Sequence, residues 1–228
     1  KGVVTKAHTP GFYTTGDNNW FYADSHGRNV TGAQVINGQH LYFDANGRQV
    51  KGGFVTNTDG SRSFYHWNTG DKLVSTFFTT GHDRWYYADD KGNVVTGAQV
   101  INGQKLFFAT DGKQVKGDFA TNANGSRSYY HGATGNKLVS TFFTTGDNNW
   151  YYADAKGELV VGEQTINGQH LYFDQTGKQV KGATATNPDG SISYYDVHTG
   201  EKAINRWVKI PSGQWVYFNA QGKGYVSN

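Results

Sequence analysis

The sequence contains no cysteine and no methionine. Without cysteine, neither a disulfide framework nor a thiolate metal site can form. The lack of both easily oxidised side chains fits a secreted, extracellular or cell-surface-associated protein. No apolar run approaches the ~20 residues that a bilayer span needs, so no membrane partner is expected. Because the chain starts at Lys1 and not at Met, we expect it to be a segment of a longer protein.

Charge of one sign is also scarce. The net charge is +3, from 21 basic and 18 acidic side chains that are scattered along the chain. Nucleic-acid binding usually needs a concentrated basic patch, so no nucleic acid is expected as a partner. In contrast, aromatic residues reach 15% and glycines number 31. Tyr and Phe must therefore build the core that branched aliphatic residues build elsewhere.

Internal repeats organise the whole chain. Trp20, Trp85, Trp150 and Trp215 follow one another at the same spacing, about 65 residues, and the motif INGQ recurs at that spacing too. We expect a single domain over 1–228, with three units at about 20–84, 85–149 and 150–214 and a truncated fourth at 215–228.

Each unit divides further at glycines that close turns. An aromatic residue precedes each of these glycines by five positions, and a mostly apolar residue follows by three. The glycines are Gly27, Gly47, Gly70, Gly92, Gly112, Gly135, Gly157, Gly177, Gly200 and Gly222. A type I turn that ends in a left-handed Gly closes such a hairpin with a bulge. This register pairs Phe43 with Gln49 and Tyr42 with Val50, and it predicts that Tyr42 and Val50 face the core.

A second set of turns lies between these hairpins. Asn37-Gly38, Asn102-Gly103 and Asn167-Gly168 indicate type I′ turns, and Asp59-Gly60, Asn124-Gly125 and Asp189-Gly190 are predicted to do the same. No stretch has a sustained helical period. Hairpins that cannot bury a face alone must stack on their neighbours. The predicted fold is therefore all-β: an elongated β-solenoid of stacked hairpin repeats with essentially no helix.

Catalytic and metal-binding patterns are missing. Most acids fall at turn positions such as Asp24, Asp44 and Asp59, where Asp caps backbone N–H groups. His40 is replaced by Lys105 in the next unit, which a zinc ligand would not tolerate. We expect no catalytic residue, no metal and no cofactor.

One polar pattern recurs with the repeats: Gln49-Val50-Lys51, Gln114-Val115-Lys116 and Gln179-Val180-Lys181. If the valine points inward, Gln and Lys point together to the other face. An amide beside an ammonium suits vicinal hydroxyls, and a neighbouring aromatic ring offers a flat face for a pyranose. The alternative is that these residues only keep a strand face soluble and guard its edge.

The stretch WYYADDKGNVVTGAQVINGQKLFFATDGKQVKG resembles the glucan-binding repeats of streptococcal glucansucrases, within the cell-wall/choline-binding repeat superfamily. The resemblance covers the whole chain. It implies a monomeric, non-catalytic module of a glucosyltransferase whose catalytic domain lies elsewhere. It also implies α-glucan as the partner, such as dextran or isomalto-oligosaccharides.

The resemblance further implies shallow sugar pockets, each with an aromatic residue, a Gln, a Lys and often a Thr. The first would use Gln49 and Lys51, with Tyr42 or a ring of a neighbouring hairpin, and Thr31 from the hairpin before. The corresponding residues of the other two are Thr96, Phe107, Gln114 and Lys116, and then Tyr172, Gln179 and Lys181. In the third pocket Val161 stands at the Thr position.

Two further functions stay open at this point. A choline or teichoic-acid anchor for the cell wall needs aromatic cages for a quaternary ammonium. Repeats of that kind are typically rich in Gly-Trp pairs, which this chain lacks. The other alternative is a structural or adhesive spacer, for which the Gln and Lys side chains would be dispensable.

Overall fold

The computed structural model describes residues 7–227, and this part of the chain contains strands and turns but no helix. It therefore offers no helix that could cross a membrane. The strands are β1 Gly11–Thr14, β2 Trp20–Ala23, β3 Gly32–Ile36, β4 Gln39–Phe43, β5 Gly53–Thr56, β6 Arg62–Tyr65, β7 Thr76–Thr79, β8 Trp85–Ala88, β9 Gly97–Ile101, β10 Gln104–Phe108, β11 Asp118–Thr121, β12 Arg127–Tyr130, β13 Thr141–Thr145, β14 Asn149–Ala153, β15 Gly162–Ile166, β16 Gln169–Phe173, β17 Ala183–Thr186, β18 Ile192–Tyr195, β19 Arg206–Lys209 and β20 Trp215–Phe218.

Over residues 7–227, consecutive strands pair into ten two-stranded sheets. The Asn-Gly tips have the predicted type I′ conformation, with φ of 52° at Asn37 and 81° at Gly38. The prediction of a type I′ turn at Asp59-Gly60 and its repeats is wrong. There the Gly60 N–H bonds to the Asn57 carbonyl at 3.0 Å and Asp59 keeps a negative φ, so the loop is one residue longer.

The D-x-x-G turns follow the second strand of each hairpin. At Gly47, φ is 78° and the N–H donates to the Asp44 carbonyl at 2.9 Å. The predicted register is confirmed, since Phe43 bridges Gln49 and the Val50 N–H donates to the Tyr42 carbonyl at 2.8 Å. After the D-x-x-G turn, the chain pairs with the preceding strand only through this short bridge. The two strands of each sheet are therefore joined by the other set of turns, such as Asn37-Gly38.

The predicted core face is wrong. Leu41 and Phe43 are 1% and 0% exposed, whereas Tyr42 and Val50 are only half-buried. The reason is the stacking of the hairpins, which partly covers the second face as well. Tyr22 of the first hairpin, for example, packs against the cluster that contains Leu41 and Phe43 of the next.

A longer loop shifts the register in every third hairpin. The Gly70 N–H bonds to the His66 carbonyl, four residues back, whereas Gly47 reaches back three. As a result, Tyr65 is 3% exposed and takes the place that Phe43 has in its hairpin. The aromatic residues five positions before the glycines therefore do not all share one face.

The chain divides into two compact units, residues 1–100 with 107–114 and residues 101–106 with 115–228. Within the first unit, single backbone hydrogen bonds join successive hairpins: the Gln49 N–H donates to the Trp20 carbonyl at 2.7 Å, and the Lys72 N–H donates to the His40 carbonyl at 2.8 Å. The second unit repeats this bond from Gln179 to Trp150 at 2.7 Å. Each unit is thus a stack of hairpins joined in series.

Aromatic rings fill the space between the hairpins. In the first unit Phe78 stacks on Phe64 and on Tyr86, with centroid distances of 4.6 and 5.3 Å. In the second unit Phe143 stacks in the same way on Tyr129 and Tyr151, at 4.6 and 5.4 Å. Offset aromatic pairs add about 0.5–1.5 kcal/mol each beyond the area they bury. These rings take the part that aliphatic side chains have in other cores.

Candidate functional site

A cleft in the first unit gathers one copy of the repeated Gln-x-Lys pattern. The cleft has a volume of about 380 Å³, and its walls include Trp20, Gln49, Lys51 and Trp67. Trp20 begins strand β2, and the backbone bond from Gln49 holds the two residues side by side. The cleft therefore unites residues from successive hairpins.

A cleft in the second compact unit contains the same three residue types. It measures about 260 Å³ and includes Trp150, Gln179 and Lys181, together with Gln169 and Thr199. Because Trp150 and Gln179 are also joined by a backbone hydrogen bond, the local geometry is repeated. We call these the first and the third cleft, after the repeat unit that supplies the Gln and Lys.

In both clefts a lysine ammonium lies over an indole. The Lys51 Nζ is 5.2 Å from the centroid of the Trp20 ring, and the Lys181 Nζ is 5.4 Å from that of Trp150. Such a cation–π contact contributes about 0.5–1 kcal/mol at an exposed site. The lysine is thus held beside the ring with donors to spare, since an ammonium has three.

The glutamine of each cleft packs against a glycine of a neighbouring loop. Gln49 is only 9% exposed, and its Nε2 donates to the Thr69 carbonyl at 3.2 Å. A Cβ on Gly70 would come within 2.2 Å of this Nε2, and a Cβ on Gly200 would come equally close to that of Gln179. The expectation that Gln and Lys share a solvent face is therefore wrong for Gln, whose amide ties a loop to the cleft.

The structure does not bring the expected aromatic residues into these clefts. The Tyr42 ring is tilted against that of Tyr65, with centroids 5.8 Å apart, and Tyr172 is tilted against Tyr195 at 5.5 Å, so both belong to the packing between hairpins. Neither lines the cleft that holds the lysine of its own unit. Tryptophan takes the predicted place of Tyr.

Thr31 also lies outside the first cleft. Its side chain is exposed, and its carbonyl accepts a bond from the Gln34 Nε2 at 2.7 Å. Val161 makes the same carbonyl contact with Gln164 at 2.8 Å. The exchange of Thr for Val in the third unit therefore changes no contact at this position.

The second predicted set is divided between the two compact units, with Lys116 in one and Thr96, Phe107 and Gln114 in the other. Gln114 is 7% exposed, like its counterparts, and Phe107 is half-buried. Thr96 is exposed and, like Thr31, accepts a bond at its carbonyl, here from Gln99 at 2.8 Å. Lys116 is half-buried.

Sequence reasoning missed the tryptophans of the clefts. Trp20 and Trp150 stand at one repeat position, and their regular spacing was the available signal. Trp67 carried no such signal, because the same position holds Gly132 and Val197 in the other units.

The acids act as turn caps. The Asp24 carboxylate accepts the backbone N–H groups of His26 and Arg28 at 2.8 and 3.0 Å. The Arg28 N–H, followed by that of His26, lowers the pKa of Asp24 below its ordinary value. A general acid needs the opposite shift. In the part of the chain that the structure describes, no group of three His, Asp or Glu residues could hold a metal ion.

Repeat-family models match the chain in several stretches. A choline-binding repeat model matches residues 30–77, 95–142 and 160–207, and a cell wall binding repeat model matches 75–94, 140–159 and 205–223. Both models describe binding repeats, and the chain is a non-catalytic repeat module.

The curated relatives are much longer proteins. Glucosyltransferase-S of Streptococcus mutans serotype c is 41% identical over 203 residues, which is 89% of this chain and 14% of that protein. Glucosyltransferase-I of the same organism is 46% identical over 190 residues, which is 83% of this chain and 13% of that protein. The chain thus spans about one seventh of the relatives that it matches.

Solved structures share the fold. Choline binding protein F from Streptococcus pneumoniae aligns with a TM-score of 0.65 at 20% identity, over 91% of this chain and 76% of that one. The choline-binding domain of CbpL from the same species aligns with a TM-score of 0.61 at 20% identity, over 87% and 99%. These matches confirm the predicted all-β hairpin solenoid. Because the choline-binding repeat model covers more than half of its residues, the chain belongs to the choline-binding repeat family.

Proposed function

We propose that the chain is a carbohydrate-binding module that binds α-glucan of the dextran type at several clefts at once. The observation that carries this proposal is the recurrence of one indole and one ammonium in the first and third clefts. An indole offers a flat apolar face to the C–H side of a pyranose, and the ammonium donates to its hydroxyls. The glucosyltransferases among the relatives make a glucan ligand the natural candidate.

Each cleft on its own is expected to bind weakly. The clefts are open and of modest size, and the lysine must leave its indole when a sugar ring takes that face. A polymer that reaches two clefts gains from effective concentration, which can raise the overall affinity by about 10²–10⁴ without any new contact. A repeat array with weak sites is thus suited to a long glucan chain and poorly suited to a single sugar.

Affinity electrophoresis tests the proposal. The full chain should be retarded in native gels that contain dextran, and much less in gels with starch or cellulose at the same concentration. Equal mobility in dextran and in sugar-free gels would contradict the proposal. Retardation by all three polymers would replace α-glucan selectivity with general adhesion to polysaccharides.

A second candidate is a cell-wall anchor that binds choline, favoured by the description of the matching family model. The position of the lysines argues against it in the two clefts. A quaternary ammonium over Trp20 or Trp150 would have to displace Lys51 or Lys181 and would be repelled by it. Two like charges 4 Å apart repel by about 1 kcal/mol in water and by more where the dielectric constant is lower. Release from dextran by choline, but not by isomaltotriose, would favour this candidate.

Three further points belong to the proposal. The three 65-residue units would act together as one glucan-binding domain over residues 1–228, as a monomer. The small net charge of +3 supports a neutral partner over a nucleic acid. Extracellular or cell-surface action fits this proposal, because the matching repeat model describes cell wall binding.

A further inference from the structure

Position 67 differs in all three repeat units: it is Trp67 in the first, Gly132 in the second and Val197 in the third. In the first unit this residue touches the glycine that follows the cleft lysine, since a Cβ on Gly52 would meet the Trp67 Cβ at 3.4 Å. In the third repeat unit a Cβ on Gly182 would likewise meet the Val197 Cβ, at 3.2 Å. The position is thus next to the lysine of the cleft in both units.

The loop that carries Trp67 is fixed at several points. The His66 Nδ1 accepts the Asn68 N–H at 3.2 Å, the Gly70 N–H donates to the His66 carbonyl at 2.8 Å, and Gln49 bonds to the Thr69 carbonyl. In the third unit Asp196 serves as the acceptor in place of His66, with bonds of 2.9 and 3.0 Å to the next N–H groups. The loop therefore folds with tryptophan or with valine at this position.

The indole itself is held in place but not covered. The edge of its ring meets Phe64 at a centroid distance of 5.5 Å and an angle of 86°, and His66 lies at 5.1 Å. Nevertheless 48% of Trp67 is exposed, and the residue lines the first cleft together with Trp20 and Lys51. A large exposed apolar ring that the fold does not require is a candidate contact for a ligand.

The rim of the first cleft also has more polar groups. Arg48 pairs with Asp44 at 3.5 Å and donates to the Asn19 Oδ1 at 3.4 Å, and all three residues line the cleft. The corresponding residues of the third unit, Asp174 and Lys178, are not among the walls of the third cleft, and neither is Val197. The third cleft thus has a single indole and fewer groups that can meet hydroxyls.

We propose that Trp67 is a second stacking platform for the glucan chain, which makes the first cleft the tighter site and the array unequal. This inference rests on the proposed function. The polymer contacts two indoles in the first cleft and one in the third. Interface residues of this kind, aromatic and backed by packed neighbours, contribute most of the energy of binding at a site.

The test isolates the first cleft in the full chain. A W85A/W150A background removes the tryptophans that correspond to Trp20 in the second and third repeat units. In this background, Trp67→Val introduces the valine that the third repeat unit has at this position. We expect it to weaken the binding of an isomalto-oligosaccharide about ten-fold in calorimetry, with an unchanged melting temperature, because a central aromatic contact is lost. Trp67→Phe, which keeps a ring, should recover part of the affinity. The reciprocal Val197→Trp, in a W20A/W85A background, should tighten the third cleft several-fold.

Two results would overturn the inference, and they differ from a failure of the proposed function. If W67V binds within two-fold of its background while Trp20→Ala abolishes binding there, the cleft binds sugar without Trp67. If W67V and W67F both lower the melting temperature as they lower the affinity, the indole supports the loop and is no platform. Only a chain that binds no glucan with all its tryptophans in place would contradict the function itself.

Discussion

The first and third clefts share their base and differ at their rims. In both, a tryptophan, a buried glutamine and a lysine occupy the same repeat positions with the same backbone hydrogen bond. The rims differ because Trp67 is replaced by Val197, and because Asp44 and Arg48 line only the first cleft. The shared residues form the cleft, and the residues at the rim are those that we expect to set its affinity for glucan. Because the shared residues recur with the repeat, the same hairpin sequence produces a cleft more than once.

The largest effect should come from removing the indole of both clefts. Trp20→Ala with Trp150→Ala should lower the apparent affinity for dextran by about 100-fold, because each cleft loses its central ring and the two losses multiply. Each single variant should lose about ten-fold. Titration calorimetry with dextran measures these values. Trp207→Ala removes an equally large ring that is 63% exposed and lines neither cleft. An equal loss in this control would mean that any exposed indole suffices.

A smaller effect is expected on the free energy of unfolding, and it tests the buried glutamine that the two clefts share. Gln49→Ala and Gln179→Ala should each lower the free energy of unfolding by about 2 kcal/mol, because a buried amide that packs on Gly70 or Gly200 is lost. Urea denaturation measures the change. Gln104→Ala, in an exposed part of β10, should stay within about 0.5 kcal/mol of the parent. Stabilities that match this control would contradict the supporting role of Gln49 and Gln179.

The lysines should affect binding more than stability, because each cation–π contact contributes only about 0.5–1 kcal/mol. Lys51→Ala with Lys181→Ala should weaken dextran binding several-fold, since two hydroxyl donors are lost. The same change should strengthen any binding of choline, because the cation that covers each indole is gone. Fluorescence titration of the tryptophans with each ligand measures both, and Lys113→Ala is the exposed control. Tighter dextran binding by the double variant would contradict the role given to the ammonium.

The smallest effect is expected at the position of Thr31 and Val161, where the repeat units differ and the side chain lines neither cleft. Val161→Thr and the reverse change Thr31→Val should leave dextran affinity unchanged, because the carbonyl makes the contact in both cases. Affinity electrophoresis is sensitive enough for this comparison. A gain of several-fold for V161T, with a matching loss for T31V, would restore the threonine to the binding site.

The hairpins and their register could be predicted because the signals are local. Asn37-Gly38 fixes a tight turn within two residues, and Gly47 closes the D-x-x-G turn from its own backbone conformation. The face that enters the core could not be predicted in this way. One additional residue in the loop after Tyr65 moves that ring to the opposite face from Tyr42, and stacking of the hairpins then half-buries the second face as well.

The clefts were less accessible to sequence reasoning because they depend on contacts between hairpins. Lys51 and Trp20 lie in different hairpins, and the bond from the Gln49 N–H to the Trp20 carbonyl holds those hairpins together. The pattern of Gln and Lys was visible along one strand, so it was identified. The sequence offers Tyr42 or a ring of a neighbouring hairpin as the aromatic partner, and in the structure Lys51 lies over Trp20 of the hairpin before.

If the tryptophan and lysine clefts hold α-glucan, a soluble oligosaccharide of the same kind should compete with the polymer for them. The full chain, bound to immobilised dextran, is washed with isomaltotriose or with choline chloride at matched ionic strength. We expect release by isomaltotriose and none by choline beyond that of sodium chloride. Release by choline alone would contradict this expectation and would make the chain a choline-binding anchor.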